Sequence, residues 1–176
     1  MTFVKDKLLN IKALIFDVDG VLSEDTSPLG LDGVPMRTTN VKDGFAIRNA
    51  VSMGLQVAII TGGNTESVRL RYEKVGAQHI YMAAGNKVEV LKSYAAEVGI
   101  ALEDMLYMGD DLIDLRVMEM VGFPCCPKDA CDEVKAVASY ISPKKGGRGC
   151  ARDVIEQVMR AQGIWLNDNA FTWRST

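Results

Sequence analysis

The chain has 176 residues, 48% hydrophobic and 24% charged, with a formal net charge of −3 from 20 basic and 23 acidic side chains. That is enough for one domain with a real core, and the charge balance gives no reason to expect nucleic acid or an anionic membrane as partner. No apolar run approaches the ~20 residues of a membrane span, and Lys5, Asp6, Lys7 and Lys12 interrupt the segment where a secretory signal needs unbroken apolar residues, so a cytoplasmic location is expected.

In chain order, short apolar runs alternate with amphipathic stretches, which predicts an α/β fold, doubly wound around a mostly parallel sheet. The first strand spans Ala13 to Val18, apolar enough to be buried on both faces. Residues 21–41 hold Gly30, Gly33 and two prolines between β-prone pieces and read as a hairpin-like flap. A helix from Asp43-Gly44 to about Met53 follows, then a strand from Leu55 to Ile60 that ends at Thr61-Gly62-Gly63. Thr65 to Val75 is helical, His79 to Met82 a short strand, and Asn86 to Val98 a helix stopped by Gly99. Met105 to Met108 is a strand ending in Gly109-Asp110-Asp111. A helix at Leu112 to Val121, a strand at Phe123 to Cys126, a βα-type pair over 129–142 and a helix from about Ala151 to Gln162 complete the pattern. The expected organisation is one domain over 1–163 and a carboxy-terminal tail over 164–176.

Asp17 and Asp19 stand at i, i+2 directly after an apolar strand. On extended backbone that spacing puts both carboxylates on one side. Like charges so close need a cation between them or a retained proton. Mg²⁺ takes carboxylate oxygens beside phosphate, and a protonated carboxyl can act as a general acid. The string alone also fits a calcium loop, a glycosyltransferase or a surface turn. In a doubly wound sheet, however, sites form beyond the carboxyl ends of strands. Asp17 and Asp19, Thr61, and Asp110 and Asp111 all fall there, with Lys87 opening an intervening helix. Taken singly, Thr61 fits a turn, Lys87 a solvated helix position, and Asp110 and Asp111 a helix cap. Jointly they supply a nucleophile, an acid, a hydroxyl, an ammonium and metal ligands, a set suited to phosphoryl transfer.

In this order, Asp17-Val-Asp19-Gly20-Val, Thr61-Gly62, Lys87 and Gly109-Asp110-Asp111 resemble the four motifs of the haloacid dehalogenase superfamily phosphatases. The resemblance implies that Asp17 attacks phosphorus and becomes an aspartyl phosphate, and that Asp19 protonates the leaving oxygen and later activates water. It implies that Thr61 binds phosphoryl oxygens and Lys87 balances charge. Asp17, Asp110 and the Asp19 carbonyl would hold Mg²⁺, supported by Asp111 and Asp114.

The gaps between motifs are too short for a cap domain, which would need ~50 residues, so the site is expected to be open. Asn40-Val41-Lys42-Asp43-Gly44, Gly109-Asp110-Asp111-Leu-Ile-Asp114 and Gly146-Gly147-Arg148-Gly149 look like the capless subgroup that includes the 3-deoxy-D-manno-octulosonate 8-phosphate (KDO 8-phosphate) phosphatases. That resemblance implies a sugar phosphate substrate, a role in lipopolysaccharide assembly, and a homotetramer whose neighbouring subunits help cover each site. By position it assigns substrate contacts to Asp19, Asn40, Val41, Lys42, Asp43, Gly44, Arg48, Gly62, Arg71 and Lys87. Arg48 and Arg71 equally fit an exposed helix face. The tail, with Trp165, Leu166, Phe171 and Trp173, has no core left to join and is expected to dock on a neighbour.

One departure stands out. Many members carry Thr-Gly-Arg at the second motif, where this chain reads Thr61-Gly62-Gly63-Asn64. The carboxylate contact is thereby unassigned, with Arg48, Arg69 and Arg71 as candidates. Gly146-Gly147-Arg148-Gly149 lacks the Lys-Ser/Thr ending of a nucleotide loop and fits either a plain loop or an anion contact. Cys125, Cys126, Cys131 and Cys150 lack zinc-site spacing, and the sole histidine, His79, has no partner motif. The expected activity is Mg²⁺-dependent hydrolysis of KDO 8-phosphate. The alternatives are a nine-carbon sugar acid 9-phosphate as substrate, a receiver-like phospho-accepting domain, or a binding subunit without turnover.

Overall fold

A computed structural model describes residues 2–172. Trp173, expected to belong to a docking tail, lies outside the described residues. The elements are α1 (Thr2–Asn10), β1 (Ala13–Phe16), α2 (Val41–Ser52), β2 (Gln56–Ile60), α3 (Glu66–Lys74), β3 (His79–Tyr81), α4 (Lys87–Val98), β4 (Met105–Met108), α5 (Leu112–Met118), β5 (Phe123–Cys126), α6 (Asp132–Val137), β6 (Tyr140–Ile141) and α7 (Cys150–Ala161). The six strands form one parallel sheet in the order β3-β2-β1-β4-β5-β6. The doubly wound α/β fold expected from the alternating pattern is the fold observed, with no cap domain among the described residues.

The period of two along each strand sorts the core into two layers. Leu14, Phe16, Val57, Ile59, Leu106 and Met108 face one side, where Leu8 of α1, Ile47 of α2, Tyr72 of α3 and Ile155 of α7 pack on them. Ala13, Ile15, Ala58, Ile60, Met105 and Tyr107 face the other side, against Leu91 and Tyr94 of α4, Val117 of α5 and Val134 of α6. β1 is wholly buried, as an apolar strand covered by helices on both faces must be. The chain winds outward from β1 to β3, then returns to place β4 against the other edge of β1. That reversal opens a crevice at the strand carboxyl ends.

Three segments differ from the sequence reading. α1 was not expected, because its charged residues hide any apolar period; Leu8 nevertheless seats in the core. Over 129–142 the helix α6 precedes the strand β6. The segment 21–40, read as a hairpin-like flap, makes only a minimal hairpin: one isolated antiparallel bridge, Leu29 to Pro35, with the Gly30 and Met36 N–H groups donating to the Val34 and Pro28 carbonyls at 2.8 Å, rather than full paired strands. Pro28 and Pro35 lack N–H donors and Gly30 and Gly33 stiffen nothing, so a longer ladder is not supported there. The start of the tail also finds a core place. Trp165 is buried, in edge contact with Phe45 of α2 and beneath the guanidinium groups of Arg152 and Arg160 of α7. Asn49 donates to the Trp165 carbonyl at 3.2 Å, tying the segment to α2 of its own chain.

Candidate active site

The crevice between β1 and β4 holds the acids. The Asp17 backbone N–H donates to the Met108 carbonyl at 3.1 Å, so the ends of β1 and β4 are held in register beyond the last ladder residues. Asp17 Oδ1 accepts from the Val18 N–H at 2.6 Å and Asp17 Oδ2 meets Lys87 Nζ at 2.9 Å. Lys87, the first residue of α4, also meets Asp114 Oδ1 at 2.7 Å. The Tyr107 hydroxyl donates to the same oxygen at 2.6 Å, and the Asp110 N–H donates to Asp114 Oδ2 at 3.1 Å. Asp114 is therefore fully engaged by three donors and acts as a brace for Lys87 and the Asp110 loop. Asp111 caps α5 by accepting the Leu112 N–H at 2.8 Å.

Charge is concentrated here. Burial, and next the charge of Asp114, push the Asp17 carboxyl up to about 7 against the pull of Lys87. Burial, then Asp17, Asp114 and Asp111, push Asp110 up to about 8. Burial opposes the Lys87 charge, yet Asp17 and Asp114 outweigh it and hold the ammonium above its ordinary range. Oxygens of Asp17, Asp110 and Asp114 lie within 4.8 Å of one another. Among the described residues no donor meets the Asp110 carboxylate. An acid partly buried among other acids and lacking a donor is the environment that a hard divalent cation relieves. With Asp114 committed to Lys87 and Tyr107, Asp17 and Asp110 are the side chains that fit such an ion.

A cavity of about 310 Å³ opens over these groups, lined by Asp17, Asp19, Thr61, Gly62, Lys87 and Asp110 among others. Its size is at the lower end of small-molecule sites. Thr61 is buried and accepts the Gly63 N–H at 3.1 Å, which shapes the turn after β2. The Gly146 and Gly147 N–H groups are turned into the fold, to Asp129 and to the Val21 carbonyl, rather than offered to an anion. Gly146 abuts the Gly20 carbonyl so closely that a Cβ would collide, and the Gly147 N–H donates to the Val21 carbonyl at 2.8 Å. Arg148 pairs with Glu24 at 2.8 Å, so this loop buttresses the Asp17–Gly20 turn from behind.

The structure thus gathers Asp17, Asp19, Thr61, Gly62, Lys87, Asp110 and Asp111 around one cavity, with Asp114 beneath it. Arg71 lies against Gly44, donates to Thr39 Oγ1 at 3.0 Å and lines a neighbouring cavity. Asn40 caps α2, accepting from the Lys42 and Asp43 N–H groups, and shares a groove with Val41, Lys42, Arg148 and Arg152. Asp43 is buried and accepts the Arg152 N–H at 2.7 Å; Arg48 lines a hollow with Phe45, Asn49 and Asn169. Neither of these two reaches the acidic cavity. Sequence reasoning missed two residues that touch the site's acids: Tyr107, whose inward register on β4 was the available signal, and Arg37, which grips Asp19 through both oxygens at 2.7 and 2.8 Å.

A parallel sheet with an aspartate at its switch point, a second acid two residues on, and a braced lysine define a haloacid dehalogenase-like phosphatase. A family model described as haloacid dehalogenase-like hydrolase matches residues 76–152. A 3-deoxy-D-manno-octulosonate 8-phosphate phosphatase of Salmonella typhi is 40% identical over 162 residues, covering 92% of this chain and 86% of that one. A crystal structure of the phosphatase of that name from Moraxella catarrhalis, in complex with magnesium ion, phosphate ion and KDO, superposes with a TM-score of 0.89. It is 32% identical and covers 93% of this chain and 94% of its own. The cobalt-bound enzyme of Haemophilus influenzae gives a TM-score of 0.88 at 27% identity, covering 94% and 98% of the two chains. The chain belongs to the 3-deoxy-D-manno-octulosonate 8-phosphate phosphatase family of the haloacid dehalogenase-like hydrolases. Membership in a family of phosphatases disfavours the receiver-like alternative.

Proposed function

We propose that the protein hydrolyses 3-deoxy-D-manno-octulosonate 8-phosphate to KDO and inorganic phosphate with Mg²⁺ as cofactor. The observation that carries the reading is the Asp17–Lys87–Asp114 chain of contacts at 2.9 and 2.7 Å beneath an open acidic cavity. It is supported by 40% identity to a phosphatase of that name over nearly the whole chain. Bound between Asp17, Asp110 and the Asp19 carbonyl, Mg²⁺ would neutralise charge on the acids and on the phosphoryl oxygens.

The chain's own groups then divide the work. Asp17 forms a bond to phosphorus as the bond from phosphorus to the sugar oxygen breaks, giving an aspartyl phosphate. Lys87 holds Asp17 in place and balances the charge that builds on the transferred group. Thr61 and the Gly62 turn bind phosphoryl oxygens. Asp19 gives its proton to the departing sugar oxygen, then takes one from the water that attacks phosphorus, releasing phosphate and restoring Asp17. The same reading places the enzyme in the cytoplasm, in lipopolysaccharide precursor synthesis. It takes the enzyme to be a homotetramer, with one domain per chain and neighbours covering the open cavity. The exposed flap side chains Leu29, Leu31 and Met36 support a covered assembly.

The test is phosphate release from KDO 8-phosphate and from a nine-carbon sugar acid 9-phosphate, side by side, with Mg²⁺ and with chelator. The expected result is Mg²⁺-dependent turnover with preference for the eight-carbon substrate, reduced about 10³-fold or more in Asp17→Asn, the scale of losing a nucleophile. Equally poor rates on both substrates would overturn the proposed specificity, and substantial activity of Asp17→Asn would overturn the covalent route.

A further inference from the structure

We infer that Arg37 is a specificity-determining residue that couples recognition of a carboxylate on the substrate to the release of Asp19. The inference rests on the reading of Asp19 as the proton donor given above. Arg37 comes from the flap. Its Nε donates to Asp19 Oδ1 at 2.7 Å and its Nη2 to Asp19 Oδ2 at 2.8 Å, a two-pronged pair. Its remaining nitrogen, Nη1, donates to Thr65 Oγ1 at 2.6 Å. The same hydroxyl does not cap α3. Only 11% of the Arg37 side chain is exposed. The guanidinium is therefore held by three hydrogen bonds, while the Asp19 side chain remains about half exposed.

Gly63 makes room for it. A Cβ on Gly63 would stand 2.6 Å from Arg37 Nη2 and 3.1 Å from its Cζ. Any side chain at position 63 would compete with the guanidinium for the same space.

While the pair stands, both Asp19 oxygens are engaged by donors, so the carboxyl cannot turn to a sugar oxygen leaving from phosphorus. Arg37 must let go, and the structure offers it another anion site. Arg37 and Arg71 share a cavity of about 200 Å³ with the hydroxyl residues Thr38, Thr39 and Ser67, and no acidic residue lines it. A carboxylate entering there draws Arg37 from Asp19, because arginine binds a second carboxylate in the same fork geometry. A substrate with its phosphoryl group over Asp17 and a carboxylate in this cavity frees the acid. A sugar phosphate without a carboxylate leaves Asp19 clamped. Binding energy at a remote group is thus spent on the reacting centre.

The experiment is steady-state kinetics of wild type, Arg37→Ala, Arg37→Lys and Gly63→Ala on KDO 8-phosphate and on arabinose 5-phosphate, whose sugar carries no carboxylate. Arg37→Ala is expected to raise KM for KDO 8-phosphate and to raise kcat for the ester without a carboxylate. Together these lower the kcat/KM ratio of the carboxylated over the carboxylate-free substrate by about tenfold or more, as expected for losing a two-pronged contact. Lysine is expected to restore part of the KM effect, since it keeps the charge without the fork. Gly63→Ala is expected to shift the ratio the same way with Arg37 intact. An unchanged ratio, or equal losses on both substrates, would overturn the inference and leave Arg37 a scaffold residue. Should the wild type hydrolyse other phosphomonoesters but not KDO 8-phosphate, the proposed function falls alone; 6-phosphogluconate against glucose 6-phosphate then decides the role of Arg37 by the same ratio.

Discussion

Gly20 and Asp110 face each other so closely that a methyl group on Gly20 would collide with the Asp110 carboxylate. Gly20 also adopts φ +77°, a left-handed backbone that carries a Cβ at a cost of about 1–2 kcal/mol. The glycine of the first motif is required twice, for its own turn and to let the Asp110 carboxylate after β4 approach the turn after β1. Gly20→Ala is therefore expected to displace Asp110, weaken Mg²⁺ activation about tenfold or more and lower stability by about 1–2 kcal/mol. Mg²⁺ titration of activity, read beside a denaturant melt, separates the two effects; unchanged Mg²⁺ dependence would show that Asp110 does not need this clearance.

Lys87 is the only cation in contact with the buried pair Asp17 and Asp114 among the described ion pairs. Removing it leaves two carboxylates in a poorly solvated site, where breaking a buried pair costs about 3–5 kcal/mol. Lys87→Ala is expected to lose activity and to unfold at lower denaturant by that order. Saturating Mg²⁺ should recover part of the stability, since a bound cation takes over the neutralisation of Asp17. Full stability of the variant without Mg²⁺ would contradict the assignment of Lys87 as the structural counter-charge.

How much of this was legible beforehand follows a physical line. Asp17, Asp19, Thr61 and Asp110 sit directly after apolar runs, and a parallel sheet puts all strand ends on one rim, so their meeting could be read from periodicity and order. Lys87 could be read from its place at the start of α4, after the N-cap Asn86. Arg37 could not. Its partner Asp19 is 18 positions away, and nothing in an irregular segment with two prolines says where a long side chain will point. Gly63 was visible as a missing arginine, but the space it leaves for a different arginine is a tertiary fact. Asp43 and Arg48 sit on a correctly read helix, yet the packing of α7 over α2 decided that Asp43 turns inward. The buttress from Gly146 to Gly20 joins segments 126 residues apart and shows only once the chain is folded.

The acidic cavity predicts a large response to metal. Without a cation, Asp110 is pushed up to about 8 by burial and then by its acidic neighbours, so its ionised form is costly to the fold near neutral pH. Mg²⁺ at 100 times its dissociation constant is expected to stabilise the protein by about 2.7 kcal/mol, and chelator should remove both that gain and activity. Asp110→Asn should keep the metal-free stability at pH 8 or improve it, while losing the Mg²⁺-induced rise in Tm. A rise in Tm that persists in Asp110→Asn would place the ion elsewhere.

Asp43 gives a pH dependence that is separate from catalysis. It is buried where α2 meets α7; Oδ1 accepts the Arg152 N–H at 2.7 Å, and Oδ2 has no hydrogen-bond partner. Burial raises its pKa from 3.8 to about 6, against the pull of the Arg152 N–H. A raised carboxyl binds its proton more tightly folded than unfolded. Its contribution is therefore fully present below about 3.8 and is lost as pH rises through about 6, at up to 1.36 kcal/mol per unit, or about 3 kcal/mol across the window. Asp43→Asn keeps an acceptor for Arg152 and removes the charge. Denaturant melts of both proteins from pH 4 to 7 should show the variant gaining on wild type by that order as pH rises, with the gap level above pH 7. Parallel curves across the range would mean that Asp43 titrates as an ordinary solvated carboxyl and that its unpartnered oxygen is reached by water.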